Sequence, residues 1–143
     1  MKRIIVIILS LIAVGYVIGC TLLFFFQRSF LYHPTPEARM SGSTSLSLAN
    51  DNETIRVWTR AVEGSDAVIY FGGNAEDVSN NFFRFSKLLP DHSLYFVNYR
   101  GYGGSTGTPT EAGFYSDALA VYDSIHDKHL NISVIGRSLG SGV

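Results

Sequence analysis

The residues best suited to chemistry lie at positions 136–140, where the sequence has the pattern G-x-S-x-G centred on Ser138. In this pattern the serine occupies a sharp turn between a strand and a helix, and the turn presents its hydroxyl above the end of a sheet as a nucleophile. Residues 132–135 are rich in β-branched apolar side chains and predict the strand that leads into the turn. We expect Gly136 and Gly140 to suit this geometry, because side chains there would collide across the turn.

A serine hydroxyl becomes an effective nucleophile only when a neighbouring base accepts its proton. In proteins with this turn, an acidic residue and then a histidine follow the serine along the chain. Five residues follow Ser138, and none of them is acidic or a histidine. The sequence therefore predicts a serine nucleophile without its acid and base, and a chain that is inactive alone.

A second glycine-rich loop, residues 72–75, follows a continuous apolar run. Small residues let a ligand approach the backbone, and main-chain N–H groups at a strand end can stabilise developing negative charge. Together with the serine turn, this loop predicts an oxyanion site formed by the N–H groups of Asn74 and Leu139, with Gly72 and Gly73 lining the substrate position. The alternative is a glycine turn that only caps a helix.

The elements that must position these loops alternate along the chain. Residues 43–48 and 54–59 alternate polar and apolar side chains around the turn-forming residues 50–52, which predicts a β-hairpin. Continuous apolar runs at 67–71 and 93–99 predict strands that are buried on both faces.

Two helices are predicted between the buried strands. The first carries apolar residues at helical spacing and ends at Pro90. The second begins with a capping box at residues 108–111, with Pro109 at the first helical position. The apolar stripe of the first helix is Val78, Phe82, Phe85 and Leu89, and that of the second is Tyr115, Ala118, Leu119, Tyr122 and Ile125. This alternation predicts an α/β fold, with a parallel sheet and crossover helices on its faces.

The N-terminus has a different character. Residues 4–26 contain no charged side chain, and as a helix they would reach about 34 Å, which is enough to cross a hydrocarbon core of about 30 Å. Lys2 and Arg3 favour a cytoplasmic N-terminus, with the remaining chain on the extracytoplasmic side. The segment predicts a single-pass signal anchor. A cleaved signal peptide and a lipoprotein signal acylated at Cys20 are the alternatives.

We divide the chain into a membrane anchor at 1–27, a proline-containing connector at 28–42 and a domain at 43–143.

Composition excludes several classes of function. The net charge of −1 does not indicate the basic surface that nucleic-acid binding requires. A single cysteine precludes an internal disulfide framework and a cysteine-based metal site, and we expect no metal.

Residues 100–107 form another glycine-rich loop and are the best argument for nucleotide binding. The dinucleotide motif G-x-G-x-x-G fails at its third glycine, where Thr106 stands. The acidic residue about twenty positions further on would be Asp127, which is not predicted at a strand end. No P-loop lysine follows the glycines. We therefore expect no nucleotide cofactor.

Several separated motifs resemble one family. Residues 98–105, 107–111 and 117–118 look like the Bem46-like and serine-aminopeptidase-like branch of the α/β hydrolases. Residues 71–75 are similar to the H-G-N-A segment of that branch, and residues 27–34 to the stretch that follows its membrane anchor. The resemblance covers roughly residues 27–143.

The resemblance implies the N-terminal half of an α/β-hydrolase sheet, and a Ser–Asp–His hydrolase that acts on small acyl or peptidyl esters, amides or thioesters without a cofactor. Of the site residues that the resemblance implies, only Ser138 and the main-chain oxyanion donors have counterparts in this sequence. In the family a later strand covers the serine-bearing strand, so we expect residues 132–135 to form an exposed apolar edge. We expect surface positions for the acids and histidines that precede the serine without matching the family's acid or base: Asp117, Asp123, Asp127, His92, His126 and His129.

Three functions remain open. The chain is the N-terminal part of a membrane-anchored serine hydrolase, or one half of a split hydrolase completed by a separate C-terminal half, or a non-catalytic membrane protein that uses the half-domain for binding.

Overall fold

The computed structural model describes residues 2–38 and 44–143 and separates into two compact units, Met1–Tyr32 and His33–Val143. The first unit is helix α1, Lys2–Leu31, whose apolar residues are all exposed. With a mean hydropathy of 2.7 over its most apolar window, α1 is long and apolar enough to cross a membrane. It ends inside the predicted connector, and residues 32–38 have no regular structure, as Pro34 and Pro36 predict.

The second unit is a mixed five-stranded sheet with helices. Its elements are β1 (Thr44–Asn50), β2 (Glu53–Arg60), β3 (Ala67–Phe71), α2 (Ser79–Leu88), β4 (Ser93–Val97), α3 (Glu111–Ile125) and β5 (Ile132–Gly136). The strand order is β1-β2-β4-β3-β5. Strands β1, β2 and β4 pair antiparallel, whereas β3 pairs parallel with both β4 and β5. This arrangement confirms the predicted α/β class.

The β1–β2 hairpin closes through Asp51 and Asn52, which have φ angles of 49° and 64°. A two-residue hairpin turn of this kind needs positive φ at both positions, and asparagine and aspartate tolerate it better than most residues. The hairpin is confirmed, although Ser43, its predicted first residue, lies outside the described residues. Ile55 and Val57 of β2 are fully buried.

Strands β3 and β4 are buried along their whole lengths, as their continuous apolar runs predict. On one face Tyr70 stacks on Phe96 with ring centroids 4.5 Å apart. Phe82 and Phe85 of α2 make T-shaped contacts with the same Phe96 ring, each with ring centroids 5.4 Å apart. Such aromatic contacts add to the burial energy, so α2 is held to the sheet by the predicted stripe.

Helix α3 differs from the prediction in its start and in its buried face. The N-cap is Thr110, whose Oγ1 accepts a hydrogen bond of 3.0 Å from the N–H of Gly113, and the helix begins at Glu111. The predicted capping box is therefore wrong by two residues. Pro109 precedes the helix, and its ring lies against Gly101, where a side chain would not fit.

The buried side of α3 carries Phe114, Val121 and Ile125. Of the predicted stripe only Ile125 is fully buried, whereas Tyr115, Leu119 and Tyr122 are exposed. The predicted face was wrong because this stripe lies on the β5 side of the helix. There it lines an open depression of about 360 Å³ together with Val134.

Strand β5 lies at the edge of the sheet, as expected. Val134 is 58% exposed, and among the residues that the structure describes β5 pairs only with β3. Parallel strands are normally covered on both faces, so β5 and the outer side of α3 form an apolar surface at this edge.

Asp117 is not a surface residue, contrary to the expectation. It is buried in α3, where its carboxylate accepts hydrogen bonds of 2.8 and 2.6 Å from the Arg100 guanidinium. Asn50 at the end of β1 donates to the same carboxylate at 2.8 Å. Burial is possible because a fork-shaped guanidinium satisfies both carboxylate oxygens. The pair joins the loop after β4, helix α3 and the hairpin.

Replacing Asp117 by alanine should destabilise the chain by about 3–5 kcal/mol, because it leaves the largely buried Arg100 guanidinium with only the longer 3.5 Å contact to Asp51. Denaturant unfolding of the detergent-solubilised full chain measures this, with the single tryptophan, the buried Trp58, as the fluorescent probe. The matched control Asp123→Ala, on the exposed side of the same helix, should stay within about 0.5 kcal/mol. Equal effects of the two substitutions would contradict the assignment.

Candidate active site

Ser138 occupies a strained turn directly after β5. Its φ angle is +50°, in the left-handed region that non-glycine residues rarely adopt. A short 3₁₀ helix, Ser138–Gly142, begins at this residue. Ser138 is exposed at the carboxyl end of the parallel strands. A strained, exposed serine between a strand and a helical turn has the geometry required of a serine nucleophile.

The two glycines of the pattern are required by close backbone contacts. A Cβ atom on Gly136 would overlap the carbonyl oxygen of Gly140, and one on Gly140 would overlap the carbonyl groups of Phe71 and Gly72. Two main-chain hydrogen bonds fix the turn to the end of β3, from Arg137 N to Phe71 O at 3.0 Å and from Gly140 N to Gly72 O at 3.1 Å. The expected steric reason for both glycines is confirmed.

The loop after β3 lies beside the serine. A Cβ atom built on Gly73 would be 3.7 Å from the Cβ of Ser138, and one on Gly72 would be 2.7 Å from a methyl group of Val78. The buried Tyr99 donates its hydroxyl to the carbonyl oxygen of Gly72 at 2.7 Å. The structure therefore brings Gly72 and Gly73 to Ser138, while their contact with a substrate stays a prediction.

The predicted oxyanion donors lie in the two segments that meet here, Asn74 in the glycine loop and Leu139 in the serine turn. The Oδ1 of the Asn74 side chain accepts hydrogen bonds from the Tyr102 hydroxyl at 2.8 Å and from the N–H of His33 at 3.0 Å. Leu139 is the second residue of the 3₁₀ helix, and the first N–H groups of a helix have no acceptor within it. The role of the Asn74 and Leu139 main-chain N–H groups stays a prediction.

Glu76 was not among the site residues predicted from the sequence. Its side chain is 8% exposed and lies next to the same junction, where it pairs with Arg137 at 2.8 Å. Burial opposes ionisation of this carboxyl, but hydrogen bonds from Gly73, Tyr70, Asn81 and Arg137 outweigh it and lower its pKa. The same environment, mainly burial and then the bond to Glu76, raises the pKa of Tyr70 to about 12. The only feature of the local sequence that could have indicated this role is that Glu76 lies three residues after Gly73.

Within residues 2–38 and 44–143, no histidine is hydrogen-bonded to the Ser138 hydroxyl. His129 is half-buried between the Tyr95 hydroxyl at 2.9 Å and the Ser65 carbonyl at 2.8 Å. His92 is also partly buried, so the expected surface position is wrong for both. His126 is exposed, as expected, beside Asp127. The described residues contain no cluster of side chains that could hold a metal ion.

The sheet order, the parallel crossovers and the serine turn after β5 define the fold of an α/β hydrolase. No family model matches the chain. The human protein ABHD12B is 35% identical over 86 residues, which are 57% of this chain and 24% of that protein. The lysophosphatidylserine lipase ABHD12 of Macaca fascicularis is 32% identical over 106 residues, which are 61% of this chain and 26% of the lipase.

Among solved structures, the Pyrococcus furiosus esterase Pf2001 matches with a TM-score of 0.62 and 17% identity, over 77% of this chain and 48% of the esterase. These similarities show that the chain has the α/β-hydrolase fold in the part that it spans, and they confirm the predicted fold. The chain spans about a quarter of the length of these two curated relatives.

Replacing Gly140 by alanine should destabilise the full chain by about 2–3 kcal/mol or more, because the new methyl group overlaps main-chain atoms that cannot move without breaking the end of β3. Gly142→Ala is the matched control, since a Cβ there would meet nothing within 4 Å. Unfolding followed by Trp58 fluorescence measures both. Similar stability of the two variants would show that the turn is not held as described.

Proposed function

We propose that the globular unit supplies the nucleophile and the oxyanion site of a serine hydrolase that cleaves esters, amides or thioesters. The observation that carries this proposal is the left-handed Ser138, fixed by main-chain bonds beside the glycine loop at the end of β3. Residues held in such sparsely populated backbone conformations cluster at functional sites.

In the proposed reaction, the Ser138 hydroxyl oxygen attacks the substrate carbonyl carbon while a base takes its proton. The carbonyl oxygen becomes an oxyanion that accepts hydrogen bonds from the N–H groups of Asn74 and Leu139. One such donor contributes about 3–4 kcal/mol to transition-state stabilisation. The intermediate then expels an alcohol, amine or thiol, which takes the proton back from the base, and water releases the acyl group from the serine by the same route.

Within the glycine loop, the geometry argues against Gly73 as the oxyanion donor. The N–H of Gly73 is directed to Glu76 at 2.6 Å and is thus occupied. The next main-chain N–H along the loop belongs to Asn74, whose side chain is fixed by Tyr102.

We further propose that the base and the acid come from polypeptide outside residues 1–143, and that these residues are inactive alone. The partners of His126 and His129 support this, because their ring nitrogens bond to Asp123, Tyr95 and Ser65 rather than to Ser138. The apolar edge at β5 supports it as well, since a complementing polypeptide would cover that edge.

We propose that α1 is a signal anchor that keeps the hydrolase at a membrane with the globular unit on the extracytoplasmic side. Its length and apolar composition support this proposal, and a lipoprotein anchored through Cys20 is the alternative. The similarity to a lysophosphatidylserine lipase favours a lipid ester as the substrate. A membrane anchor would hold the enzyme where such esters are found.

The test compares residues 1–143 alone with the completed hydrolase, which we define as this chain together with the polypeptide encoded directly downstream. We expect the chain alone to leave p-nitrophenyl butyrate and lysophosphatidylserine intact, and the completed hydrolase to cleave at least the simple ester. Ser138→Ala should lower that rate by about 10⁴-fold or more, because the nucleophile is lost.

The matched control is Ser47→Ala, at an exposed position of β1, which should leave the rate unchanged. Turnover that survives Ser138→Ala would contradict the proposed nucleophile. Strong activity of residues 1–143 alone would contradict an external base.

A further inference from the structure

Glu76 connects the two halves of the proposed site. Its Oε2 accepts hydrogen bonds from the N–H of Gly73 at 2.6 Å and from Arg137 Nη1 at 2.8 Å. Its Oε1 accepts from the Tyr70 hydroxyl at 2.8 Å and from the Asn81 amide at 2.7 Å. One oxygen therefore bridges the glycine loop and the serine turn, while the other is fixed to β3 and α2.

We propose that Glu76 is a positioning residue that locks the glycine loop to the serine turn and so sets the direction of the Asn74 N–H. This inference rests on the proposed function and assigns a role within that site. Glu76 does not touch the reacting atoms itself.

The peptide plane between Gly72 and Gly73 is hydrogen-bonded at both of its ends. Its N–H is held by Glu76, and its carbonyl oxygen accepts from Gly140 N at 3.1 Å and from the Tyr99 hydroxyl at 2.7 Å. Because a peptide unit is planar, bonds at both of its ends leave it one orientation. The Asn74 N–H belongs to the next peptide plane, which is separated from this one by the φ and ψ angles of Gly73. The carbonyl oxygen of that next plane, Gly73 O, accepts from the main-chain N–H of Glu76 at 3.2 Å, so Glu76 contacts the planes on both sides of Gly73.

Both ends of the peptide plane between Gly72 and Gly73 are also joined to the serine turn. The carbonyl side is joined directly by Gly140, and the N–H side is joined through Glu76 and Arg137. Hydrogen bonds to charged groups are roughly twice as strong as neutral ones. The Glu76–Arg137 bridge is a charge-assisted connection between two segments that are 61 residues apart, with the carboxylate buried and the guanidinium exposed.

The ionised form of Glu76 is the one that can perform this role, since it accepts four bonds and donates none. The groups that face it are Tyr70 from β3, Asn81 from α2, Arg137 from the serine turn and the N–H of Gly73. Their hydrogen bonds lower the pKa of the carboxyl despite its burial. Because the folded-state pKa is lowered, the lock is present above the ordinary glutamate value of 4.5 and is lost only as the pH falls through the lower folded value.

The first test needs no catalysis. In the full chain, amide hydrogen exchange of residues 72–75 should become about ten-fold faster or more in Glu76→Gln and in Arg137→Met, because the lock is opened. The control Arg84→Met, at an exposed arginine of α2, should not change this exchange. After correction for intrinsic rates, the wild-type segment should lose protection only below pH 4.5, and Glu76→Gln should lack that acid transition.

The second test uses the completed hydrolase. Glu76→Gln should lower kcat by about 10²-fold with KM within about two-fold, since a misplaced donor affects the transition state more than substrate binding. Arg137→Met should lower kcat less, by about ten-fold, and Arg137→Lys should restore part of it. A residue that only stabilises the fold would not separate kcat from KM in this way.

Unchanged exchange at residues 72–75 together with unchanged kcat in Glu76→Gln would overturn the proposal. If that variant does not fold, Arg137→Met decides by the same two readouts, because Arg137 is 64% exposed and its loss leaves the core intact. A completed hydrolase without Ser138-dependent activity would contradict the proposed function instead, and the exchange experiment would still decide the role of Glu76.

Discussion

The site depends on a contact between two main chains. The serine turn lies so close to the end of β3 that Gly140 has no room for a Cβ atom between itself and the carbonyl groups of Phe71 and Gly72. This approach allows Gly140 to donate to Gly72, and it leaves Ser138 in the left-handed conformation beside the glycine loop. The parallel pairing of β5 with β3 brings the two loops to the same end of the sheet, at the carboxyl ends of its parallel strands.

Two buried carboxylates stabilise the loops around this contact. Asp117 holds Arg100 in the loop after β4, and Glu76 holds the loop after β3. Each faces an arginine from another segment of the chain. The Asp117–Arg100 pair is largely buried, whereas Glu76 is buried and its partner Arg137 is exposed. Removing either arginine would leave a buried carboxylate without its cationic partner.

Much of the fold could be predicted because its signals are local. The hairpin turn at Asp51, the buried runs of β3 and β4 and the glycines around Ser138 all depend on residues that are close in sequence. The burial of Asp117 could not be predicted, because its partners Arg100 and Asn50 lie 17 and 67 residues away. The role of Glu76 was missed for the same reason, since Arg137 is 61 residues further on.

The most direct test of the site is the structure of the completed hydrolase after reaction with a fluorophosphonate. We predict a phosphonyl group on the Ser138 hydroxyl oxygen, with its free oxygen about 3 Å from the N–H groups of Asn74 and Leu139. An adduct on another residue, or a free oxygen directed away from the glycine loop, would contradict this account.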